Sequence, residues 1–327
     1  MKALVYDEYG TPDVLRAEEV DDPIPGADAV LVQVVAAAVN PGDWDLLRGV
    51  PYVLRMSAGV RRPKKRTLGL AVAGRVVAVG SDVRLFEPGD EIYAEVPLGG
   101  FAELVSVPEA QCAIKPANTT FEQAAAVPVS GVTAIQALRD AAHVTPGKTV
   151  LVNGASGGVG VFAVQVAKIL GAEVTGVCST RNVDLVRGLG ADHVIDYTAE
   201  DFTKGRTYDL ILDNVGNRSL SELRRALKPK GTLIPNSNKG EARWVGTYLR
   251  RAIAAVVMSP LTGRKARPFA AHSSAADLVA LTEYIETGRV TPVIDRTYPL
   301  TETAQALGYF GEGHVRGKVI IEVDQGS

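Results

Sequence analysis

The sequence predicts a doubly wound, parallel α/β domain joined to a second, mostly antiparallel β domain, and three observations predict it. Residues 149–160 read Thr-Val-Leu-Val-Asn-Gly-Ala-Ser-Gly-Gly-Val-Gly, an apolar strand entering a glycine turn, with a helical pattern from Val161 to Leu170 behind it. From Thr149 onward, strand patterns recur at 149–153, 174–178, 193–196, 209–213 and 231–234 with helical patterns between them. That alternation is the rhythm of a parallel sheet covered on both faces. Before it, and again at the end of the chain, short apolar runs alternate with Gly and Pro turns. With 327 residues the chain exceeds the size at which a single core stops growing, so two domains are expected.

Taken in order, Lys-Ala-Leu-Val-Tyr after Met1 is strand-like, and strands follow at Ala29–Val39, Val72–Val79 and Glu91–Val96, the last two separated by the turn Pro88-Gly89-Asp90. A helix opens at Thr120 with Glu122 in its first turn, where negative charge meets the positive helix end, and a second helix covers Val132–Ala142. After the parallel region, Arg243–Arg267 reads as a helix packed on that domain or on a partner subunit. Pro268–Ala271 reads as the last strand of the sheet, an edge open to pairing in a homodimer. A helix from Ala275 to Glu286 ends at Gly288, and a closing strand, Lys318–Val323, returns to the β texture of the start. The expected domains are residues 1–123 with 272–327, and 124–271.

Composition narrows the function classes. Hydrophobic residues make up 46% and charged residues 22%, ordinary globular values, and the net charge is −2, so no nucleic-acid or membrane partner is expected from the chain as a whole. The apolar run Ala252–Met258 is far shorter than the roughly 20 residues of a membrane span. No secretory leader is expected, and Cys112 and Cys178 alone give no disulfide framework, which points to the reducing cytoplasm. One local exception is Arg61-Arg62-Pro63-Lys64-Lys65-Arg66, five cations in six positions. It reads first as a solvated loop, with nucleic acid, an anionic membrane face, or a wall or lid of the substrate pocket as the alternatives.

The glycine turn carries the chemistry. A diphosphate needs bare backbone N–H groups at a helix N-terminus, where the aligned peptide dipoles favour negative charge. Gly157 lets the backbone approach the pyrophosphate and Gly160 lets the helix pack on its strand, while Ala155 stands at the first position of the G-x-G-x-x-G pattern and Ser156, Gly158 and Val159 complete the loop. The next strand runs into Cys178-Ser179-Thr180-Arg181, without the acid that would accept from a ribose 2′-hydroxyl. Arg181 can pair with a 2′-phosphate, helped by the Ser179 and Thr180 hydroxyls, so NADPH is the expected cofactor. The plainer reading of Arg181 is a solvated residue at a helix start. Asn214, Val215 and Gly216 follow a strand end, where the ligand crevice of such sheets lies, and Asn236 and Ser237 are further candidates on the same edge.

Several stretches together resemble the medium-chain dehydrogenase/reductase superfamily, in its zinc-independent, quinone oxidoreductase-like branch. They are Asn40-Pro41-Gly42-Asp43, Pro88-Gly89-Asp90, Gly99-Gly100-Phe101-Ala102-Glu103, Asn153–Gly160 and Leu189–Tyr197. The resemblance implies a GroES-like β domain interrupted by a Rossmann domain, an active site in the cleft between them, and hydride transfer from NADPH to a quinone or an α,β-unsaturated carbonyl. It also implies that Asn40 lies beside the nicotinamide and that Thr133, Tyr197 and Lys318 contact the cofactor. Where the zinc-dependent sister enzymes carry a cysteine ligand this chain has Asn40, and their Gly-His-Glu is replaced by Gly69-Leu70-Ala71. With two cysteines and four scattered histidines, no metal is expected. Asp43 and Tyr52 are the candidates for protonating the product, with water as the alternative source. Competing readings are a zinc-free carbonyl or alcohol dehydrogenase, and a non-catalytic NADPH- or RNA-binding protein of the same fold.

Overall fold

The computed structural model describes residues 1–237 and 263–324. By contacts the chain forms two compact units, one of Met1–Val132, Ser273–Gly288 and Pro292–Ser327, the other of Thr133–His272 and Arg289–Thr291. The crossing falls at Val132/Thr133 rather than at 123, because the helix Phe121–Ala125 packs on the strands Ala29–Ala38 and Ala71–Val79 of the first unit.

In the first unit, Lys2–Val5 pairs antiparallel with Arg16–Glu19. A larger sheet has the spatial order Ile294–Pro299, Lys318–Glu322, Ala29–Ala38, Ala71–Val79, Glu91–Glu95 and Cys112–Ile114, with Leu104–Pro108 also on Ala29–Ala38. Its pairings are antiparallel except the first. Alternation along Ala29–Ala38 drives Val30, Val32 and Val34 into a core shared with Leu47, Leu68, Val72, Ile92 and Phe101. The helix Ala275–Glu286 is capped by the Ser274 hydroxyl, which accepts from the Asp277 N–H. It is fastened by the buried Tyr93, whose hydroxyl donates to the Leu278 carbonyl at 2.5 Å.

The second unit holds a six-stranded sheet in the order His193–Asp196, Glu173–Cys178, Thr149–Asn153, Tyr208–Asp213, Leu227–Pro235 and Lys265–Ala266, all parallel. Numbered along the chain this is 3-2-1-4-5-6, the dinucleotide-binding order, whose switch point lies between Thr149–Asn153 and Tyr208–Asp213. The helix Gly158–Ile169 is buried nearly all round from Gly160 to Ala167. Its one polar core residue, Gln165, donates to the Val161 and Thr291 carbonyls and accepts from the Thr291 N–H. Those bonds tie Thr291 into this unit.

Three expectations need correction. The last described strand is Lys265–Ala266 rather than Pro268–Ala271, whose proline at its first position lacks a ladder donor. The second helix begins at Pro128, where a proline needs no N–H partner, and Gln136–Ala141 continues it as a π-helical turn. The strand expected at 231–234 starts at Leu227, because a register shift opposite Tyr208–Leu210 accommodates Pro229 and the left-handed Lys230. Most of Arg243–Arg267 lies outside the described residues.

Candidate functional site

The candidate residues fall in two clusters, one in each unit. In the second unit, the glycine turn, the Asp213–Gly216 turn and residues 236–237 all follow carboxyl ends of strands, and the first two flank the switch point. Gly157 is the N-cap of the helix Gly158–Ile169 and has no side chain to close its first N–H groups. A Cβ at Gly157 would meet only the Gly154 carbonyl oxygen, at 3.4 Å, so the space before the helix is open. At Gly160 a Cβ would collide with that same oxygen and lie 2.8 Å from Ala155 Cα, so here glycine sets how closely helix and strand pack. Ala155 is fully buried, which a small residue satisfies as well as glycine would. The Ser156 hydroxyl is fixed by the buried Asn182, whose Nδ2 donates to it at 2.9 Å.

Across the switch point, the buried Asp213 carboxylate accepts from Asn153 Nδ2 at 2.8 Å and from the Gly216 N–H at 2.9 Å, shaping the turn that holds the half-buried Asn214 and Val215. Asn214 Oδ1 accepts from Asn236 Nδ2, while Asn214 Nδ2 is a buried donor with no partner among the described residues. A buried orphan donor costs about 1–3 kcal/mol unless something accepts from it. An open helix start and an unsatisfied amide on the same strand edge fit a polyanionic dinucleotide carrying a carboxamide.

At the end of the second strand, Cys178 is 2% exposed and burial pushes its thiol up to about 11, so only its backbone is offered to a ligand. Ser179 is partly exposed and Thr180, Arg181 and Tyr197 are exposed. One carboxylate missed from sequence stands nearby: Asp196 pairs in register with Cys178. Hydrogen bonds from the Thr180 and Thr198 hydroxyls, then the Thr198 N–H, hold its carboxyl below the usual range. A cavity of about 480 Å³ in the same unit is lined by Thr149, Glu173 and Tyr208, the first residues of their strands, at the opposite edge from the ligand crevice. Thr133, 8% exposed, lies in the helix Pro128–Ile135.

The first-unit cluster is a buried hydrogen-bond chain. The Lys318 ammonium donates to the Val39 carbonyl at 3.0 Å and to Asn40 Oδ1 at 2.5 Å. Asn40 Nδ2 donates to the Ala38 carbonyl at 2.8 Å, which fixes the orientation of the amide. The Asp43 carboxylate accepts from the Asn40 and Gly69 N–H groups, both at 2.9 Å. Asn40 and Asp43 are 0% exposed and Lys318 is 3% exposed. Burial pushes Asp43 up to about 7 against the pull of the two N–H donors and the Lys318 charge. Burial likewise draws Lys318 down to about 8, with Asp43 opposing.

Two of the expected site residues have polar groups engaged within the first unit. Both Asp43 oxygens accept from backbone N–H groups, one of them that of Asn40. The Lys318 ammonium donates to Asn40 and Val39. Tyr52 is half-buried with the Arg55 guanidinium 4.8 Å over its ring. The pairing of Asn40 with Lys318 across 278 positions had no signal in the sequence. Among the described residues no group of three or more His, Cys, Asp or Glu side chains could hold a metal.

Comparison with known proteins agrees with this architecture. The family described as "Alcohol dehydrogenase GroES-like domain" matches residues 26–117, and the one described as "Zinc-binding dehydrogenase" matches residues 189–321. The chain is 35% identical to the mitochondrial NAD(P)H oxidoreductase RTN4IP1 of Mus musculus, over 99% of this chain and 89% of that protein. It is 34% identical to the chloroplastic NADPH-dependent alkenal/one oxidoreductase of Arabidopsis thaliana, over 98% of this chain and 79% of that protein. The quinone oxidoreductase structure from Coxiella burnetii superposes with a TM-score of 0.86 at 27% identity, covering 99% of both chains. The GroES-like domain, the six-stranded dinucleotide-type sheet and these full-length similarities make the chain a member of the quinone oxidoreductase-like medium-chain dehydrogenase/reductase family.

Proposed function

We propose that this chain is an NADPH-dependent reductase of quinones or α,β-unsaturated carbonyls that works without zinc. The observation that carries the reading is the uncapped helix start at Gly157, on the switch-point edge of a 3-2-1-4-5-6 sheet. NADPH supplies a hydride. The chain's own residues bind and orient: the Gly157–Gly160 backbone N–H groups take the diphosphate, with Ala155, Ser156 and Val159 shaping the turn. Arg181, Ser179, Thr180 and Tyr197 take the 2′-phosphate region. Asn214, Val215 and Gly216, with Asn236 and Ser237, line the nicotinamide end, and the orphan Asn214 Nδ2 has an acceptor there. Asn40, its amide fixed by Lys318 and Ala38, sets the backbone beside the nicotinamide, and Thr133 contributes a hydroxyl.

An electron-poor alkene or quinone accepts hydride without a metal to lower an alcohol pKa. Negative charge gathers on the carbonyl oxygen, where fixed donors lower the barrier. With Asp43 closed off, the proton comes from water or from Tyr52. Activity in the cytoplasm and a homodimer are further parts of the proposal, consistent with the reducing chemistry of two buried free cysteines and with a short edge strand at Lys265–Ala266. The test is NADPH oxidation measured against a panel of quinones, 2-alkenals, enones and saturated alcohols. Turnover with the first three classes is expected, and activity confined to alcohols overturns the assignment in favour of an alcohol dehydrogenase.

A further inference from the structure

A basic segment with exposed aliphatic residues follows Tyr52, and none of its cations is among the residues assigned above. Between Asp45 and Asp82 the sequence has no Asp or Glu, yet seven Lys or Arg residues occur from Arg48 to Arg66, in a chain whose net charge is −2. Most of this charge is displayed on a built structure. Arg55 is clamped between Tyr9 and Tyr52, its guanidinium 4.4 and 4.8 Å from the two rings, and its Nε donates to the Gly49 carbonyl at 2.9 Å. The Tyr9 hydroxyl donates to the Gly59 carbonyl at 2.6 Å, and the Lys64 N–H closes the loop onto the Ala58 carbonyl at 2.7 Å. Gly59, at φ +126°, sits so close to the Arg62 carbonyl that any Cβ would collide with it.

That frame sorts the cations. Arg66 is neutralised by Asp7 at 2.6 Å and Glu18 at 3.0 Å. Arg61, Arg62, Lys64 and Lys65 are exposed and make no ion pair among the described residues. Beside them Met56 is 76% and Val60 71% exposed. Exposed aliphatic side chains within a cluster of unpaired cations match a surface that is anionic outside and apolar just beneath. Single-stranded nucleic acid is gripped by cations with stacking aromatics, and both nearby tyrosines are occupied with Arg55, while a duplex offers nothing to the exposed Met56 and Val60.

We propose that this segment docks the protein peripherally on anionic phospholipid, with Arg61, Arg62, Lys64 and Lys65 on the headgroups and Met56 and Val60 entering the interface. For this segment it takes up the anionic membrane face over the solvated loop, and it is independent of the proposed reductase activity. Each Lys or Arg near an anionic surface strengthens binding about fivefold, so neutralising four weakens it by several hundredfold. Salt reduces it further, since the Debye length is about 8 Å at physiological ionic strength.

The test is co-sedimentation of the full chain with phosphatidylcholine vesicles, with and without phosphatidylserine, for wild type, the Arg61→Ser/Arg62→Ser/Lys64→Ser/Lys65→Ser variant and the Met56→Ser/Val60→Ser variant. Wild type is expected to bind only the anionic vesicles. The first variant loses that binding with its thermal midpoint unchanged, and the second releases from the vesicles at lower salt than wild type. Absence of wild-type binding, equal binding to neutral vesicles, or undiminished binding of the first variant overturns the proposal. Tighter binding to an oligonucleotide than to the vesicles also overturns it, in favour of nucleic acid.

Discussion

Gly157 and Gly160 lie three residues apart in one turn, and the structure predicts opposite consequences of giving each a methyl group. At Gly160 the added Cβ meets the Gly154 carbonyl oxygen and the Ala155 backbone, none of which can rotate away, so the helix must move off its strand. Overpacking of this kind costs about 1–3 kcal/mol, and rigid neighbours put Gly160→Ala at the upper end. At about 2–4 °C per kcal/mol for domains of 150–250 residues, the melting temperature should fall by several degrees. Gly157 has φ −85° and ψ 176°, which any residue adopts, and its nearest neighbour would be 3.4 Å away. A restricted unfolded chain gains about 0.4–1 kcal/mol and the poorer N-cap loses a similar amount, so Gly157→Ala should leave stability near that of wild type. Its methyl would stand where the diphosphate approaches. Losing one charge-assisted hydrogen bond of about 1.5–3 kcal/mol weakens NADPH roughly ten- to a hundredfold. Thermal denaturation and titration calorimetry read the two effects separately. A Gly157→Ala protein that melts like wild type and binds NADPH just as tightly would refute the placement of the diphosphate.

Other perturbations test the remaining parts. Arg181→Asp should raise the KM for NADPH far more than that for NADH in steady-state assays, and equal effects remove Arg181 from the phosphate site. The raised pKa of Asp43 favours its protonated form in the fold, so its contribution is complete below about pH 4 and is lost as pH rises through about 7. Asp43→Asn should flatten that fall in denaturant-melt stability and leave one backbone N–H unsatisfied, at about 1–3 kcal/mol. A variant whose pH profile matches wild type contradicts the assignment. Tyr93→Phe strips the hydroxyl from between Leu278 and Thr282 and should cost about 1–2 kcal/mol by thermal melt, without changing coenzyme affinity. Dialysis against a strong chelator should leave activity intact, and a loss restored by zinc would defeat the metal-free reading.

Much of the parallel unit could be read from sequence because its strands are apolar runs cut by Gly and Asp. Thr149–Asn153 and the helix Ala275–Glu286 occur with the bounds their patterns imply. Where Pro229, Lys230 and Gly231 look like a turn, the strand runs through them with a shifted register, a tertiary effect no local pattern carries. The coenzyme half of the site was legible because a diphosphate demands bare backbone at one helix end. The first-unit cluster was not: Lys318 meets Asn40 only because Lys318–Glu322 pairs beside Ala29–Ala38. The hydrogen bonding that holds the Asp43 carboxylate likewise depends on Gly69, supplied by a distant loop.

Hydride delivery is the central claim, and isotopic tracing measures it directly. The purified protein is supplied with NADPH carrying deuterium at the nicotinamide C4 and an α,β-unsaturated ketone in ordinary water, and the product is analysed by NMR. The account predicts deuterium on the former β-carbon and a solvent proton on the α-carbon. Coenzyme left unoxidised by both the enone and a quinone, or reduction at the carbonyl carbon with the alkene intact, would contradict it.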